Sequence, residues 1–156
     1  AGEAGHAIVQ PEGRACGCGR HGCLETYCSA TGIVRTAKEL LLNESTPSCL
    51  RTIKEDMITA KDISDAADKN DTLALKCFDI TARYLALGLA NVAVITSPAK
   101  IFISRGLSKA GEKLFKPLEE YFEQFLYPVF RNTISIETSA LEDNEVAILG
   151  AASLVF

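Results

Sequence analysis

The amino-acid sequence predicts a mixed α/β fold in a single domain. The length of 156 residues is usual for one domain, and a hydrophobic content of 47% is enough to form a sizeable core. Segments with apolar residues at helical spacing alternate with short β-branched and aromatic runs. No internal repeat or low-complexity linker divides the chain. We therefore expect helices and strands to share one core.

The first third of the chain contains a predicted strand, a cysteine-rich loop and a helix. Residues 7–10, AIVQ, form an apolar run that ends at Pro11 and Gly13, which is typical of a strand leading into a loop. After the loop, apolar positions recur at helical spacing from Leu24 to Leu41. This spacing predicts a helix that ends before Pro47.

Two further helices are predicted in the middle of the chain. Thr59, followed three residues later by Asp62, resembles an N-cap, and the helix it opens extends to Asn70. Asp71 or Thr72 then caps a long helix. Its second half, YLALGLANVAVI, is apolar nearly all round, so we expect it to be buried.

Strands and helices alternate in the last third. The run KIFIS, residues 100–104, predicts a strand after Pro98, and Gly106 turns the chain into a helix over residues 107–125. Because proline lacks an amide N–H, Pro117 is expected to kink this helix or to open a second one.

A second strand and a terminal helix complete the predicted elements. TISIET, residues 133–138, alternates as a strand does, and NEVAILGAASLVF, residues 144–156, predicts a helix with a face of small residues.

Charge and hydropathy exclude several classes of protein. The net charge of −4 is mixed in sign along the chain, and no run of Lys and Arg is long enough to follow a phosphate backbone, so nucleic acid is not an expected partner. No window of about eighteen residues is uninterruptedly apolar, and the N-terminus lacks the pattern of a signal peptide, so no membrane partner is expected. We expect a cytoplasmic protein with reduced thiols.

The cysteine-rich loop is the strongest functional signal in the sequence. Cys16, Cys18 and Cys23 are three thiols on a glycine-rich loop, and structural zinc sites use four such ligands, often with an imidazole among them. From spacing alone His6 and His21 are comparable candidates for the fourth position, and the pattern is not the usual pair of C-x-x-C knuckles. A four-ligand site would be structural, because catalytic zinc needs an open position. The alternatives are a surface loop with incidental thiols and, less favoured, a redox C-x-C pair.

Three segments in this order, GEAGHAIV, CGCGRHGCLE and AILGAASLVF, resemble the second half of the ROK family of sugar kinases, open reading frames and repressors. The resemblance covers essentially the whole chain and is most specific in Glu-x-Gly-His and Cys-x-Cys-x-x-x-x-Cys-Leu-Glu. It implies that residues 1–156 are the C-terminal domain of an actin-like ATPase (ribonuclease H-like) sugar kinase fold with an inserted zinc loop. The N-terminal domain would then be absent from this chain.

The resemblance also implies the residues of the site. In that family the histidine of Glu-x-Gly-His joins the three cysteines on zinc, so the implied ligands are His6, Cys16, Cys18 and Cys23. The implied contacts to the hexose hydroxyls are made by Glu3, His6 and Glu25. Taken alone, the two glutamates would be expected to be solvent-exposed acids.

The implied nucleotide-binding residues are Ser104, Arg105 and Gly106. Family kinases commonly have a turn resembling Ile-Gly-Gly-Gly beside the nucleotide, and here Ser104 and Arg105 replace two of its glycines. Arg105 would either donate charge to a phosphate or obstruct the nucleotide. An exposed arginine in a turn is an equal alternative.

The resemblance implies the C-terminal half of an ATP-dependent, glucokinase-like hexose kinase, with structural zinc here and with ATP and Mg²⁺ bound by the full-length protein. Family kinases have their Asp-x-Gly phosphate loop and catalytic aspartate in the N-terminal half. Since neither occurs here, no catalytic residue and no activity of the chain alone are expected.

The implied partners are a hexose such as glucose or an N-acetylhexosamine, and a second copy in a homo-oligomer such as a dimer. The alternative function is the sugar-sensing domain of a ROK family repressor, whose DNA-binding helices would lie upstream. A small zinc-stabilised interaction domain without a ligand is a third possibility.

Overall fold

The structure is a computed structural model that describes residues 3–141, Glu145 and Ala152; the side chains of Arg105, Leu107 and Ser108 are outside this description. In the described part, short 3₁₀ turns connect α-helices and a two-stranded sheet. The elements in chain order are α1 (Ala30–Asn43), α2 (Ala60–Ala67), α3 (Thr72–Thr96), β1 (Lys100–Ile103), α4 (Glu112–Phe125) and β2 (Ser135–Thr138). The mixed helix and strand content agrees with the predicted fold class.

The segment before α1 differs from the prediction in two places. Residues 7–10 do not form a strand: Ile8 makes an isolated antiparallel bridge to Cys23, and the amides of Val9 and Gln10 both donate to one carbonyl, that of Gly22. The helix predicted from Leu24 begins only at Ala30, after a single 3₁₀ turn at Leu24–Thr26.

Side-chain caps explain where the helices begin. Ser29 starts α1, since its hydroxyl accepts from the Gly32 amide at 3.0 Å. Thr59 starts α2 as predicted, in a reciprocal capping box with Asp62. Asp71, rather than Thr72, caps α3 and accepts from the Ala74 amide at 3.0 Å.

Helix α3 is the centre of the core. It packs against α1, α2 and α4 through small buried residues that include Ala82, Ala86 and Ala90. Its second half is not buried all round as predicted, because Val94 and Ile95 near its end are 53% and 84% exposed. By length and composition α3 could cross a membrane, but its packing among three helices is that of a core helix.

The two strands lie side by side in parallel, with Lys100 opposite Ser135 and Ile103 opposite Thr138, and α4 connects them. The strands predicted over residues 100–104 and 133–138 are confirmed, each slightly shorter than expected. The helix predicted from residue 107 starts later, at Glu112, because residues 105–110 form 3₁₀ turns, and it continues through Pro117 as one element. The predicted helix over residues 144–156 lies outside the described residues, apart from Glu145 and Ala152.

Candidate metal and substrate site

The cysteine-rich loop folds back onto the N-terminal 3₁₀ turn (Ala4–His6), whose last residue is His6. The Val9 amide donates to the Gly22 carbonyl at 2.9 Å, and the Leu24 amide donates to the Ala7 carbonyl at the same distance. Cys23 therefore lies directly opposite the residues that follow His6. These backbone bonds join two parts of the chain that no local pattern connects.

A tight turn places the other two cysteines on the same side of the loop. The Cys16 amide donates to the Arg20 carbonyl at 2.9 Å, and the Gly19 amide donates to the Cys16 carbonyl at 3.0 Å. Gly19 has a φ of +86°, which L side chains rarely adopt, so glycine permits this turn.

The loop brings together four side chains of the types that bind metals. The donor atoms of His6, Cys16, Cys18 and Cys23 all lie within 4.8 Å of one another. The Cys18 and Cys23 sulfurs are 3.6 Å apart, and the Cys16 sulfur is 3.7 Å from His6 Nδ1. Tetrahedral zinc, with Zn–S of about 2.3 Å and Zn–N of about 2.0 Å, holds such pairs about 3.5–3.8 Å apart. The composition of the donor set therefore fits zinc, and these two pairs already lie at the spacing of zinc ligands.

The other histidine lies elsewhere on the loop. His21 makes an isolated bridge to Ala15 and is exposed. It lines a shallow hollow of about 690 Å³ together with Ile8, Pro11, Glu12 and Arg20. Among the described residues, His6 and not His21 belongs to the four-residue cluster.

The cluster thiols differ in acidity. Hydrogen bonds from Arg20 lower the pKa of Cys18 to about 6. At Cys16 the Cys18 amide lowers the pKa, but the hydrogen bond to Glu25, burial and the neighbouring thiols outweigh it and raise the pKa to about 12. Because metals bind thiolates, metal binding at Cys16 would displace a proton.

Glu25 lies beside the cluster, two residues after Cys23 on the 3₁₀ turn that precedes α1. Its Oε1 accepts from the Cys16 thiol at 2.9 Å and is 3.8 Å from His6 Nδ1, while the side chain remains 46% exposed. Glu3 is also exposed, and its carbonyl accepts from the His6 amide at 2.9 Å. Both glutamates are therefore solvent-accessible acceptors on the segments that carry the cluster residues.

The predicted nucleotide-binding residues occupy the carboxyl end of β1. Ser104 follows the strand, and Gly106 is exposed, with nothing within 4 Å of the position that a Cβ would take there. The Ser139 amide donates to the Ile103 carbonyl at 2.8 Å, so the ends of both strands meet here. In open α/β sheets ligands bind outside the carboxyl ends of the strands. The Arg105 side chain lies outside the described residues.

Arg14 was not predicted from the sequence. Its side chain is only 10% exposed and spans from the cysteine-rich loop to α1, where it pairs with Glu39 at 2.6 Å. A lone arginine in a glycine-rich loop has no local pattern that could have identified this contact.

The family model described as "ROK family" matches residues 1–156, and the chain belongs to that family. This confirms the resemblance that the sequence indicated. A glucokinase of Halalkalibacterium halodurans is 41% identical over 157 residues, which cover 99% of this chain and 47% of the relative. The DNA-binding transcriptional repressor Mlc of Escherichia coli is 34% identical over 150 residues, which cover 96% of this chain and 36% of the repressor.

A solved structure agrees with these matches. The crystal structure of a ROK family glucokinase from Streptomyces griseus, in complex with glucose and AMPPNP, matches with a TM-score of 0.82 at 33% identity. The match covers 99% of this chain and 51% of that structure. The fold is thus that of ROK sugar kinases, consistent with an actin-like ATPase, and the chain spans about half the length of these glucokinases.

Proposed function

We propose that this chain is the C-terminal half, residues 1–156, of an ATP-dependent hexose kinase of the glucokinase type. The observation that carries the proposal is the identity of 41% to a glucokinase over nearly the whole chain, which is higher than the 34% to the repressor Mlc. The fold supports it, since a glucokinase solved with glucose and AMPPNP shares it.

The second part of the proposal is that His6, Cys16, Cys18 and Cys23 hold a structural zinc ion. Four soft or borderline donors that converge within 4.8 Å would fill all four positions of a tetrahedral zinc ion and leave none for a water ligand, which is the arrangement of structural rather than catalytic zinc. When bound, the ion would supply folding energy to a loop that has few apolar residues of its own.

The third part concerns the sugar. Glu25 and Glu3 accept hydrogen bonds from hexose hydroxyls, because exposed carboxylates are strong acceptors for vicinal hydroxyl groups. His6 Nδ1 lies 3.7 Å from the Cys16 sulfur, so Nε2 is left to contact a sugar oxygen. The position of Glu25 next to the cluster supports this role, since the metal ligands would fix the backbone segments that carry Glu25 and Glu3.

The nucleotide is proposed to bind at the carboxyl end of β1, beside Ser104, Arg105 and Gly106. ATP and Mg²⁺ would be shared with the other half of the protein, which would also supply the catalytic base. Phosphoryl transfer depends mainly on positioning and charge stabilisation. This half therefore contributes one side of the sugar-binding site and one side of the nucleotide cleft.

The proposal extends to the compartment and the oligomeric state of the protein. None of the six cysteines forms a disulfide. We propose a cytoplasmic protein, where thiols stay reduced, that acts as a homo-oligomer such as a dimer. The second candidate is a sugar-sensing domain of a repressor, favoured by the match to Mlc. Both functions use the same sugar-binding residues.

Two measurements on the full-length protein test the proposal. Coupled ADP release with ATP, Mg²⁺ and a panel of glucose, N-acetylmannosamine and fructose should show turnover with one hexose. The 156-residue chain alone is the control and should show none. Hexose binding by calorimetry without turnover in the full-length protein would favour the repressor instead.

A further inference from the structure

Arg14 connects the metal-binding loop to the segment that carries Glu25. It lies two residues before Cys16, and its guanidinium enters the space between the loop and α1. Nη1 donates to the Thr26 carbonyl at 2.7 Å and to the Gly32 carbonyl at 3.1 Å. The Thr26 carbonyl belongs to the peptide between Thr26 and Tyr27, so Nη1 anchors the 3₁₀ turn one residue after Glu25.

The remaining donors of Arg14 bind α1. Nη2 donates to Thr36 Oγ1 at 2.8 Å and to Glu39 Oε2 at 2.6 Å, while Nε donates to Glu39 Oε1 at 2.9 Å. A guanidinium has five N–H donors in a fixed planar fork, and all five are used here. Lysine cannot reproduce this set, because its ammonium is a compact charge with three donors.

The backbone and ring contacts of Arg14 extend the connection to α3. The Arg14 amide donates to the Tyr27 hydroxyl at 3.0 Å, and the guanidinium carbon lies 4.4 Å from the centre of the Tyr27 ring. Tyr27 is buried and stacks on Tyr84 of α3 with a ring separation of 4.1 Å. The Arg14 carbonyl in turn accepts from the Gly22 amide at 2.8 Å, next to Cys23.

We propose that Arg14 is a positioning residue that fixes Glu25 relative to the metal-binding loop and thereby sets the affinity for the hexose. The part of this proposal that concerns the hexose depends on the proposed function above. Arg14 does not contact the four metal-binding donor atoms, so its effect on the segment 24–28 should be separable from metal content. A misplaced acceptor weakens sugar contacts without changing the nucleotide contacts, because the latter lie at the end of β1.

The test uses the full-length protein with Arg14→Lys, which keeps the positive charge but loses the planar guanidinium with its five donors. Arg51→Lys is the matched control, since Arg51 donates to the carbonyls of Leu41, Glu44 and Thr46, away from the cluster. Arg14→Lys should retain the zinc content of the wild type. It should speed amide hydrogen exchange in residues 24–28 about tenfold, and raise the KM for glucose about tenfold at an unchanged KM for ATP. Arg51→Lys should change none of these.

Several results would overturn the proposal. Three results for Arg14→Lys would each show that Arg14 does not act through Glu25. These are amide exchange in residues 24–28 at the wild-type rate, loss of zinc, and equal changes in the KM for glucose and the KM for ATP. If Arg14→Lys fails to fold, Glu39→Gln, at a half-exposed site, should change exchange and the KM for glucose in the same direction to a smaller extent. If the wild type neither binds nor phosphorylates a hexose, the proposed function fails, and the exchange measurement still decides whether Arg14 fixes this segment.

Discussion

The glycines of the cysteine-rich loop offer a graded test of its geometry. A Cβ added at Gly17 would meet no atom within 4 Å, and its φ is not in the left-handed region. Gly19 also has open space but a φ of +86°. Gly22 combines a φ of +74° with a Cβ position only 1.7 Å from the Gln10 carbonyl oxygen, which belongs to the backbone. Substitution by alanine should therefore lower the free energy of unfolding by an increasing amount from Gly17 through Gly19 to Gly22.

The magnitudes follow from these differences. Gly17→Ala should change the free energy of unfolding by less than about 0.5 kcal/mol. Gly19→Ala should lower it by about 1–2 kcal/mol, because the left-handed conformation strains an L residue. Gly22→Ala has the same conformational strain, and in addition a backbone segment must move, which costs about 1–3 kcal/mol. The free energy of unfolding should therefore fall by about 2–5 kcal/mol in total. That movement would break the bonds of Gly22 to Val9, Gln10 and Arg14, which place Cys23.

The assay is denaturant unfolding of the zinc-loaded protein with each substitution, together with zinc content per chain. Gly22→Ala should lose both stability and zinc, whereas Gly17→Ala should keep both. If Gly22→Ala is as stable and as metal-loaded as Gly17→Ala, the described path of the loop between residues 9 and 22 is wrong.

Two further predictions concern the sugar and a helix cap. Glu25→Gln and Glu3→Gln in the full-length protein should each weaken hexose binding by about 1–3 kcal/mol, as measured by calorimetry, since the charge that strengthens the hydrogen bonds is lost; unchanged affinity in both would exclude the assigned role. Asp71→Ala should lower the free energy of unfolding by about 1–2 kcal/mol, because this side chain caps α3 and also accepts from the Cys49 amide at 2.8 Å. Burial raises the pKa of Asp71, but the amides of Ala74 and Cys49 outweigh it and hold the pKa below its usual value. The wild type should therefore exceed Asp71→Ala in free energy of unfolding by the full amount above about pH 4, and this difference should shrink as the pH falls through the lower pKa of the folded state. A difference that grows on acidification would contradict this assignment.

Local patterns predicted the parts of the fold that local interactions determine. The caps at Thr59 and Asp71 involve residues three apart, and both helices begin where these residues indicate. The start of α1 was placed too early because Tyr27 and Cys28 are buried by contacts with α3 rather than by a helical face. A sequence period cannot distinguish these two causes of burial.

The candidate site could be predicted only in part. Crowding of three cysteines indicated a metal site, but spacing left His6 and His21 as equal candidates. The resemblance to the ROK family favoured His6, and the backbone bonds between residues 7–9 and 22–24 explain why His6 joins the cluster. The contacts of Arg14 with Thr36 and Glu39 join residues more than twenty positions apart, so no local signal could reveal them.

Metal content tests the central claim most directly, since the zinc proposal and the proposed sugar-binding roles of Glu3 and Glu25 both depend on the four-residue cluster. The wild type should contain one zinc ion per chain. His21→Ala, which changes an exposed residue outside the cluster, should retain it, whereas His6→Ala should lose most of it. Retention of zinc by His6→Ala together with its loss from His21→Ala would contradict the assignment of the site.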